Sequence, residues 1–205
     1  MVINPNKRDF KANKLKIGTR GSPLALAQAL EVKKEIIKHH KLNDQSVEII
    51  SISTKGDRVI DRPLTEIGGK GLFTEEIENK LFHNEIDIAV HSMKDMPTEF
   101  PIGLGINTFL KREDFRDSFV SLKYNSINEL PVGAVVGSSS IRRKAQLLSI
   151  RPDLKVVEFR GNVQTRLKKL EDGVADATFL ACAGLIRLGM KNLVNPISPE
   201  VMMPA

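Results

Sequence analysis

A lysine and an aspartate follow a short apolar run in the first half of the chain. Residues 86–90 have the composition of a buried strand. Lys94 and Asp95 come shortly after this run, and Pro97 then prevents regular continuation. Because ligands bind beyond the carboxyl ends of strands in open α/β sheets, the Lys-Asp pair is a candidate site for binding or proton transfer. For an arbitrary Lys-Asp pair, a solvated surface turn is the competing interpretation.

Arginines and serines also recur where predicted strands end. Arg20 lies in a strand-to-helix turn, where backbone N–H groups of the helix start add partial positive charge. Further arginines and serines lie in or near turns of the second half: Arg142, Arg143, Arg160, Arg166, Arg187, Ser138, Ser139 and Ser140. Guanidinium groups match carboxylates and phosphates in shape and charge. Their convergence on one end of a sheet predicts an anion with many negative groups, either a polycarboxylate or a nucleic acid.

The elements that must position these residues follow the same order in both halves. Strands are predicted at 15–18, 47–53, 86–90, 134–137, 155–159 and 176–181. Helices are predicted from 23 to about 38, after Thr74, at 141–150, after Asn162 and at 183–188. This alternation predicts an α/β fold with two similar domains, 1–109 and 110–205, mixed and mainly parallel sheets, and a cleft between the domains. Bacterial periplasmic solute-binding proteins share this organisation.

Local signals refine three segments. Ser22 is a good N-cap for the first helix, and Leu26, Ala29, Leu30 and Ile37 are expected to face the core. Residues 55–72 are expected to form a long loop, with its most flexible part at the glycines around Lys70. The charged run 111–117 is expected to be a solvated face at the domain crossing.

Composition narrows the class of protein. The chain has 205 residues, with 31 basic and 25 acidic side chains and a net charge of +6, which favours anionic partners. A single cysteine excludes a disulfide framework and a cysteine-based zinc site. No run approaches the roughly 18 apolar residues of a membrane span. Without the apolar core of a secretory signal at the N-terminus, we expect a cytoplasmic protein. An aromatic content of 5% argues against single-stranded nucleic acid as partner.

Six motifs together resemble one family. They lie at 18–25, 68–73, 89–95, 112–114, 137–143 and 160–163. In this order they closely resemble the porphobilinogen deaminase (hydroxymethylbilane synthase) family, from about residue 15 to residue 205. The resemblance implies a transferase of tetrapyrrole biosynthesis, which condenses four porphobilinogen molecules head to tail into hydroxymethylbilane with release of ammonia. It also implies a plastid location if the source is a photosynthetic eukaryote.

The resemblance assigns roles to individual residues. Asp95 matches the catalytic aspartate, which can stabilise the cation left when ammonia departs and can move protons. Lys94 would help to keep Asp95 ionised. The carboxylates of porphobilinogen and of the growing oligopyrrole would be held by Arg20, Ser22, Lys70, Ser92, Lys94, Ser138, Ser139, Ser140, Arg142, Arg143, Arg160, Gly161, Arg166 and Arg187.

The chain departs from the family at its C-terminal end. The family has a third domain, in which a cysteine carries a covalent dipyrromethane cofactor, and it uses no metal. Cys182 is the only cysteine here and is expected to be a small buried hydrophobe and not the attachment site. We therefore expect a truncated, monomeric form without the attachment domain, which binds porphobilinogen and neither nucleic acid nor membranes.

Two other functions compete with this enzyme. A two-domain α/β protein could bind an anionic solute without chemistry, but such a protein gains nothing from the Asp95 carboxylate at its centre. The basic face could instead bind nucleic acid, and a strongly salt-dependent affinity for DNA or RNA would support that function.

Overall fold

The computed structural model describes residues 2–3, 14–58 and 71–205. The chain divides into two compact units, Met1–Lys111 and Arg112–Ala205. The sequence prediction placed this division after residue 109. The cleft between the domains stays a prediction.

Unit 1 is built on a four-stranded sheet in the order β1-β4-β2-β3. The strands are β1 (Val2–Ile3), β2 (Leu15–Arg20), β3 (Val47–Ile52) and β4 (Ile88–Ala89). β2 pairs in parallel with both β3 and β4, and β1 pairs with β4 in antiparallel orientation. The carboxyl ends of β2, β3 and β4 therefore lie at one edge of the sheet.

Three helices of unit 1 are described: α1 (Pro23–His40), α2 (Lys55–Arg58) and α3 (Glu75–Phe82). Ser22 caps α1, because its Oγ accepts a hydrogen bond from the backbone N–H of Ala25 at 3.3 Å. The assignment of Leu30 to the core is wrong, since it is 49% exposed. The buried stripe of α1 instead contains Ala29 and Val32, and Leu30 is turned about 100° away from Ala29.

The predicted loop 55–72 is described only in part. Residues 55–58 form α2, and residues 59–70 lie outside the described part of the chain. The prediction that Thr74 caps α3 is wrong: Thr74 stands at the N-cap position, but its hydroxyl makes no capping hydrogen bond. This hydroxyl is buried and finds no hydrogen-bond partner among residues 2–3, 14–58 and 71–205.

Unit 2 is built on a second four-stranded sheet in the order β5-β8-β6-β7. Its elements are β5 (Asp117–Ser121), β6 (Val135–Gly137), α4 (Ile141–Ile150), β7 (Lys155–Val157), α5 (Val163–Glu171), β8 (Ala177–Ala181) and α6 (Cys182–Arg187). β6 pairs in parallel with β7 and β8, whereas β5 is antiparallel to β8. The prediction of mixed, mainly parallel sheets is confirmed in both units.

The sequence analysis missed β5 and treated residues 111–117 as a solvated face. That interpretation is wrong for Asp117, which is 3% exposed. Asp117 is paired with Ala181 in the sheet, so it lies beside the carboxyl end of β8. Short 3₁₀ turns complete the described elements, at Asp44–Ser46, Met93–Asp95, Ile127–Glu129 and Lys191–Leu193.

The two sheets share one hydrogen bond, in which an aspartate carboxylate accepts from a backbone N–H of the neighbouring strand. In unit 1 the Asp87 carboxylate accepts from the Lys16 backbone N–H at 2.8 Å, just before β4 and β2 pair. In unit 2 the Asp176 carboxylate accepts from the Val135 backbone N–H at 2.9 Å, at the corresponding point of β8 and β6. Each unit buries its own apolar clusters, around Ile17 in unit 1 and around Val136 in unit 2. In the described residues, no helix combines the length and apolar character needed to cross a membrane.

Candidate functional site

Asp95 lies beyond the carboxyl end of β4, in the 3₁₀ turn Met93–Asp95. Its backbone N–H donates to the Ser92 carbonyl at 3.0 Å, which fixes the turn. The Asp95 side chain keeps 31% of its surface accessible. A carboxylate at this edge of a parallel sheet can reach a ligand while its turn is held by the strand.

Arg20 is the last residue of β2 and faces two carboxylates. Its Nε donates to Asp57 Oδ1 at 3.1 Å, and its Nη2 donates to the same carboxylate. Its Nη1 lies 3.8 Å from Asp95 Oδ2, beyond hydrogen-bonding distance. The guanidinium carbon also lies 4.1 Å from the centre of the Phe73 ring, in a cation–π contact. The structure therefore places Arg20 and Asp95, both predicted site residues, near each other, and adds Asp57 and Phe73.

The two carboxylates around Arg20 have opposite acid–base properties. Partial burial alone would raise the pKa of Asp57, but hydrogen bonds from Arg20 and Thr54 hold this pKa below its usual value. Burial raises the pKa of Asp95, Lys94 and Arg20 oppose the rise, and the Asp57 charge adds to it. The pKa shifts of the two carboxyl groups thus have opposite directions, and the one that is raised belongs to Asp95.

His91 lies between β4 and the Asp95 turn. Its Nε2 is buried and has no hydrogen-bond partner within the described part of the chain. Burial lowers the pKa of His91 to about 4, and the nearby charge of Arg20 acts in the same direction. The imidazole is therefore neutral near pH 7, so positive charge beside Asp95 comes from Arg20 and Lys94.

The remaining predicted residues of unit 1 are two serines, Ser92 and Ser22, and Lys70. Ser92 Oγ and the Gln28 side-chain amide are hydrogen-bonded at 3.0 Å, so α1 supports the Asp95 turn. Ser22 Oγ accepts from α1 and keeps its own O–H to donate. Lys70 lies outside the described residues.

In unit 2, two predicted arginines share one buried carboxylate. Arg143 is 7% exposed; its Nη2 donates to Asp117 Oδ1 at 2.6 Å and its Nη1 to the Phe179 carbonyl at 2.7 Å. Arg142 donates from Nη2 to Asp117 Oδ2 at 2.7 Å and from Nη1 to the Met203 carbonyl. Arg143 thus ties α4 to the sheet, and its direct binding of a ligand stays a prediction.

The three serines between β6 and α4 each accept a backbone hydrogen bond. Ser138 Oγ accepts from Ser140 N at 3.2 Å, and Ser140 Oγ accepts from Arg143 N at 3.4 Å. Ser139 Oγ accepts from Phe159 N at 3.0 Å. Because a hydroxyl can accept and donate at once, each serine keeps an O–H that can be directed at an anion.

The start of α5 adds a cationic group. Arg166 donates from Nε to the Gly161 carbonyl at 2.9 Å. Burial lowers the pKa of Arg166 to about 10; the positive charges of Arg143 and Arg160 contribute, and the negative charge of Glu158 opposes the shift. These like charges would be relieved by a bound anion. Arg187 ends α6, and Gly161 has φ +120, where a Cβ would approach Thr165 Cγ2 to 2.6 Å.

Cys182 is the first residue of α6 and is 0% exposed. Burial raises the pKa of its thiol, with Asp114 adding to the rise, so the reactive thiolate is disfavoured. Among residues 2–3, 14–58 and 71–205, no group of three or more His, Cys, Asp or Glu side chains is placed to hold a metal ion.

Four contributors to the site were missed by the sequence analysis: Asp57, Phe73, Gln28 and Asp117. Asp57 could have been found, because it follows β3 and parallel strands end at the same edge. Gln28 is the only polar residue in the stretch 24–30, which is a signal of a buried polar contact. Asp117 had no comparable signal, since its burial depends on the antiparallel strand β5.

Two observations define the class of this protein. It has an α/β fold, and it carries acidic and arginine side chains at the carboxyl ends of its strands. A family model described as "Porphobilinogen deaminase, dipyromethane cofactor binding domain" matches residues 15–205. The chain belongs to the porphobilinogen deaminase family. The porphobilinogen deaminase of Paracoccus denitrificans (strain Pd 1222) is 64% identical over 194 residues, covering 94% of this chain and 62% of that protein. The family resemblance expected from the motifs is confirmed, and the chain spans less than two thirds of this relative.

The matches among solved structures are more distant in sequence. A nutrient binding protein from Burkholderia cenocepacia bound to methionine has a TM-score of 0.45 and 13% identity, covering 93% of this chain and 79% of that chain. A pheromone cOB1 precursor/lipoprotein of the YaeC family from Enterococcus faecalis V583 has a TM-score of 0.46 and 15% identity, covering 90% and 79%.

Proposed function

We propose that this chain supplies the catalytic aspartate and the carboxylate-binding residues for the stepwise condensation of four porphobilinogen molecules to hydroxymethylbilane. One observation carries the proposal above all. The Arg20 guanidinium lies between Asp57 and Asp95, and only Asp95 has a raised pKa. A proton-exchanging carboxyl group beside a fixed cation suits a reaction in which a cation forms next to carboxylate arms.

Asp95 would act on the reacting pyrrole. When the aminomethyl C–N bond breaks, ammonia leaves with the bonding electron pair and the pyrrole-methylene becomes cationic. An ionised Asp95 next to the pyrrole N–H stabilises this charge. After the next pyrrole ring attacks the methylene carbon, that ring loses a proton, which the same carboxylate can accept.

The arginines would hold the acetate and propionate arms. Arg20 presents Nη1 on the Asp95 side of unit 1. In unit 2, Arg160 and Arg166 form a cationic group in which like charges oppose each other. Hydroxyl groups of Ser138, Ser139 and Ser140 add donors beside Arg142. These groups match carboxylates better than neutral ligands.

The dipyrromethane group of the family fits this chain in part. Its carboxylates suit the same arginines and serines, and when bound it supplies the primer to which pyrroles are added. Covalent attachment does not fit, because Cys182 is fully buried and its thiol pKa is raised. We assign no attachment site to this chain.

The experiment uses two proteins. The first is the 205-residue chain, incubated with porphobilinogen and followed by calorimetry, by intact mass and by an assay for hydroxymethylbilane. The second is a chimera, in which residues 15–205 replace the matching segment of the Paracoccus denitrificans relative. We expect porphobilinogen binding by the chain and hydroxymethylbilane formation by the chimera.

The outcomes separate the candidate functions. Binding without turnover in both proteins would overturn the proposal and favour a non-catalytic anion-binding protein. An adduct of dipyrromethane mass mapped to Cys182 would overturn our exclusion of that residue.

We also propose a cytoplasmic monomer whose partners are porphobilinogen and oligopyrrole polycarboxylates. Support comes from the small-molecule substrate of the family and from the bacterial source of the relative. Size-exclusion chromatography with light scattering tests the monomer, and a mass of about twice the 22.8 kDa chain would contradict it.

A further inference from the structure

The N–H groups of Arg20 are divided between two edges of its guanidinium. Nε and Nη2 form the edge that donates to Asp57, with Nε lying 3.1 Å from Oδ1 and 3.2 Å from Oδ2. Nη1 forms the opposite edge and has no hydrogen-bond partner among the described residues. This fork geometry lets a carboxylate bind one edge while the other stays available to a second anion.

Asp57 is itself held in place. Thr54 is 0% exposed; its hydroxyl donates to Asp57 Oδ2 at 2.7 Å and its backbone N–H lies 3.4 Å from the same oxygen. Both residues stand where β3 ends and α2 begins. The Asp57 carboxylate therefore has one orientation, set by backbone and hydroxyl donors.

Phe73 fixes the face of the same guanidinium. Its ring lies 4.1 Å from Arg20 Cζ. It also lies against Gly56, where an added Cβ would be 2.2 Å from Phe73 Cε1, and Gly56 N donates to the Leu72 carbonyl at 2.7 Å. Arg20 is thus held along one edge by Asp57 and across one face by Phe73.

The charged groups around Asp95 explain why the fixed position of Arg20 matters. The groups that act on Asp95 are Lys94 from its own turn, Arg20 from β2 and Asp57 from α2. Without Asp57, Arg20 Nη1 could approach Asp95 Oδ2 from the present 3.8 Å to hydrogen-bonding distance and form a close ion pair. Such a pair would occupy both the cation and the carboxylate.

We propose that Asp57 is a positioning residue, which holds Arg20 so that its Nη1 edge stays open to a substrate carboxylate and does not close to a hydrogen bond with Asp95. The positioning of Arg20 by Asp57 does not depend on which ligand binds. The identity of the ligand as a porphobilinogen carboxylate rests on the proposed function.

The first test follows the Arg20 Nε–H by NMR in the full 205-residue chain. The variants are Asp57→Asn, Asp57→Glu and Thr54→Val, and the control is Asp44→Asn at an exposed carboxylate of the same unit. A hydrogen bond to a charged group contributes about 1.5–3 kcal/mol, so we expect solvent exchange of Nε–H to be faster by about tenfold or more in Asp57→Asn. Asp57→Glu should restore part of the protection, Thr54→Val should lose part of it, and Asp44→Asn should match the parent chain.

The second test follows the Asp95 carboxyl by ¹³C NMR against pH. In Asp57→Asn the titration midpoint should fall, because Arg20 is released to pair with Asp95 and a neighbouring negative charge is removed. Unchanged Nε–H exchange and an unchanged Asp95 midpoint in a folded Asp57→Asn chain would overturn the proposal. If Asp57→Asn does not fold, unchanged protection in Thr54→Val overturns it instead.

A third measurement separates this inference from the proposed function. Porphobilinogen binding to the chain should weaken by about tenfold or more in Asp57→Asn, since Arg20 is no longer presented. If both NMR signals change while the parent chain binds no porphobilinogen, the positioning of Arg20 stands and the proposed substrate fails.

Discussion

The two units place arginines at the same edge of the same kind of sheet, but with opposite charge balance. In unit 1 one guanidinium, Arg20, faces two carboxylates, Asp57 and Asp95. In unit 2 one carboxylate, Asp117, faces two guanidiniums, Arg142 and Arg143. An excess of carboxylate suits a developing cation, whereas an excess of arginine suits a polyanion. Under the proposed function, this difference predicts a division of labour, with chemistry in unit 1 and anion binding in unit 2.

The scaffold beneath these residues is shared. Both sheets have the same strand order, and Asp87 and Asp176 accept the same backbone hydrogen bond in each. Gly18 and Gly137 occupy matching places, where a Cβ would approach Ile86 Cδ1 to 2.2 Å and Phe159 Cγ to 2.3 Å. The two units therefore differ in the charged side chains of their turns, while their strands are built alike.

The largest expected effect concerns the carboxylate of unit 1. Asp95→Asn keeps the size of the side chain but removes proton transfer and negative charge, so kcat of the chimera should fall about 10²–10⁴-fold. Asp172→Asn, at the exposed end of α5, is the matched control. A fall of less than about threefold in Asp95→Asn would contradict the division of labour.

The next effect concerns the buried pair of unit 2. Arg143→Met leaves Asp117 with only Arg142, and breaking a buried pair in this way should lower the free energy of unfolding by about 3 kcal/mol. Lys144→Met, on the exposed side of the same helix, should change it by less than about 0.5 kcal/mol. Urea unfolding measures both. Equal stability of the two variants would mean that Asp117 does not depend on Arg143.

A smaller effect should appear in ligand binding by unit 2. Arg166→Gln removes a charged donor from the cationic group at the start of α5, so porphobilinogen affinity should fall about tenfold. In the chimera this variant should raise KM more than it lowers kcat, unlike Asp95→Asn. Lys168→Gln removes the same charge from an exposed site of α5 and should leave affinity unchanged. Equal losses from the two variants would point to overall charge and not to a local site.

The smallest effect is a pH dependence of stability in unit 1. Because the pKa of Asp95 is raised in the folded chain, the folded state binds more protons than the unfolded state above the ordinary aspartate pKa. The contribution of Asp95 to stability is therefore fully present at low pH and declines as pH rises through the folded pKa. Asp95→Asn should unfold at a higher temperature than the parent chain at pH 7, and the gain should vanish near pH 3. A gain that is equal at both pH values would contradict the raised pKa.

Sequence signals located local features well and long-range partners poorly. Ser22 and Asn162 were predicted as helix caps, and both side chains accept the expected backbone hydrogen bonds. The turn that carries Lys94 and Asp95 follows its strand as predicted. These features depend on neighbours within a few residues, so the local sequence contains the information.

The partners of the arginines depend on pairing across the chain. Asp117 is separated by 26 positions from Arg143, and its burial requires an antiparallel strand inside a mainly parallel order. The burial of α1 was also misjudged at Leu30, because helical spacing gives the width of an apolar stripe and not which edge of it meets the sheet. Tertiary contacts decided both outcomes.

The contact between Gly56 and the Phe73 ring has a consequence for variation in this chain. Any side chain at position 56 would meet the ring within 3 Å, so the ring would have to leave the guanidinium that it covers. Positions 56 and 73 are therefore linked, and neither can be exchanged alone without disturbing Arg20. In a library that randomises both codons, functional clones should keep glycine with phenylalanine or change the two residues together. The allowed pairs should be those whose side chains fit over the Arg20 guanidinium.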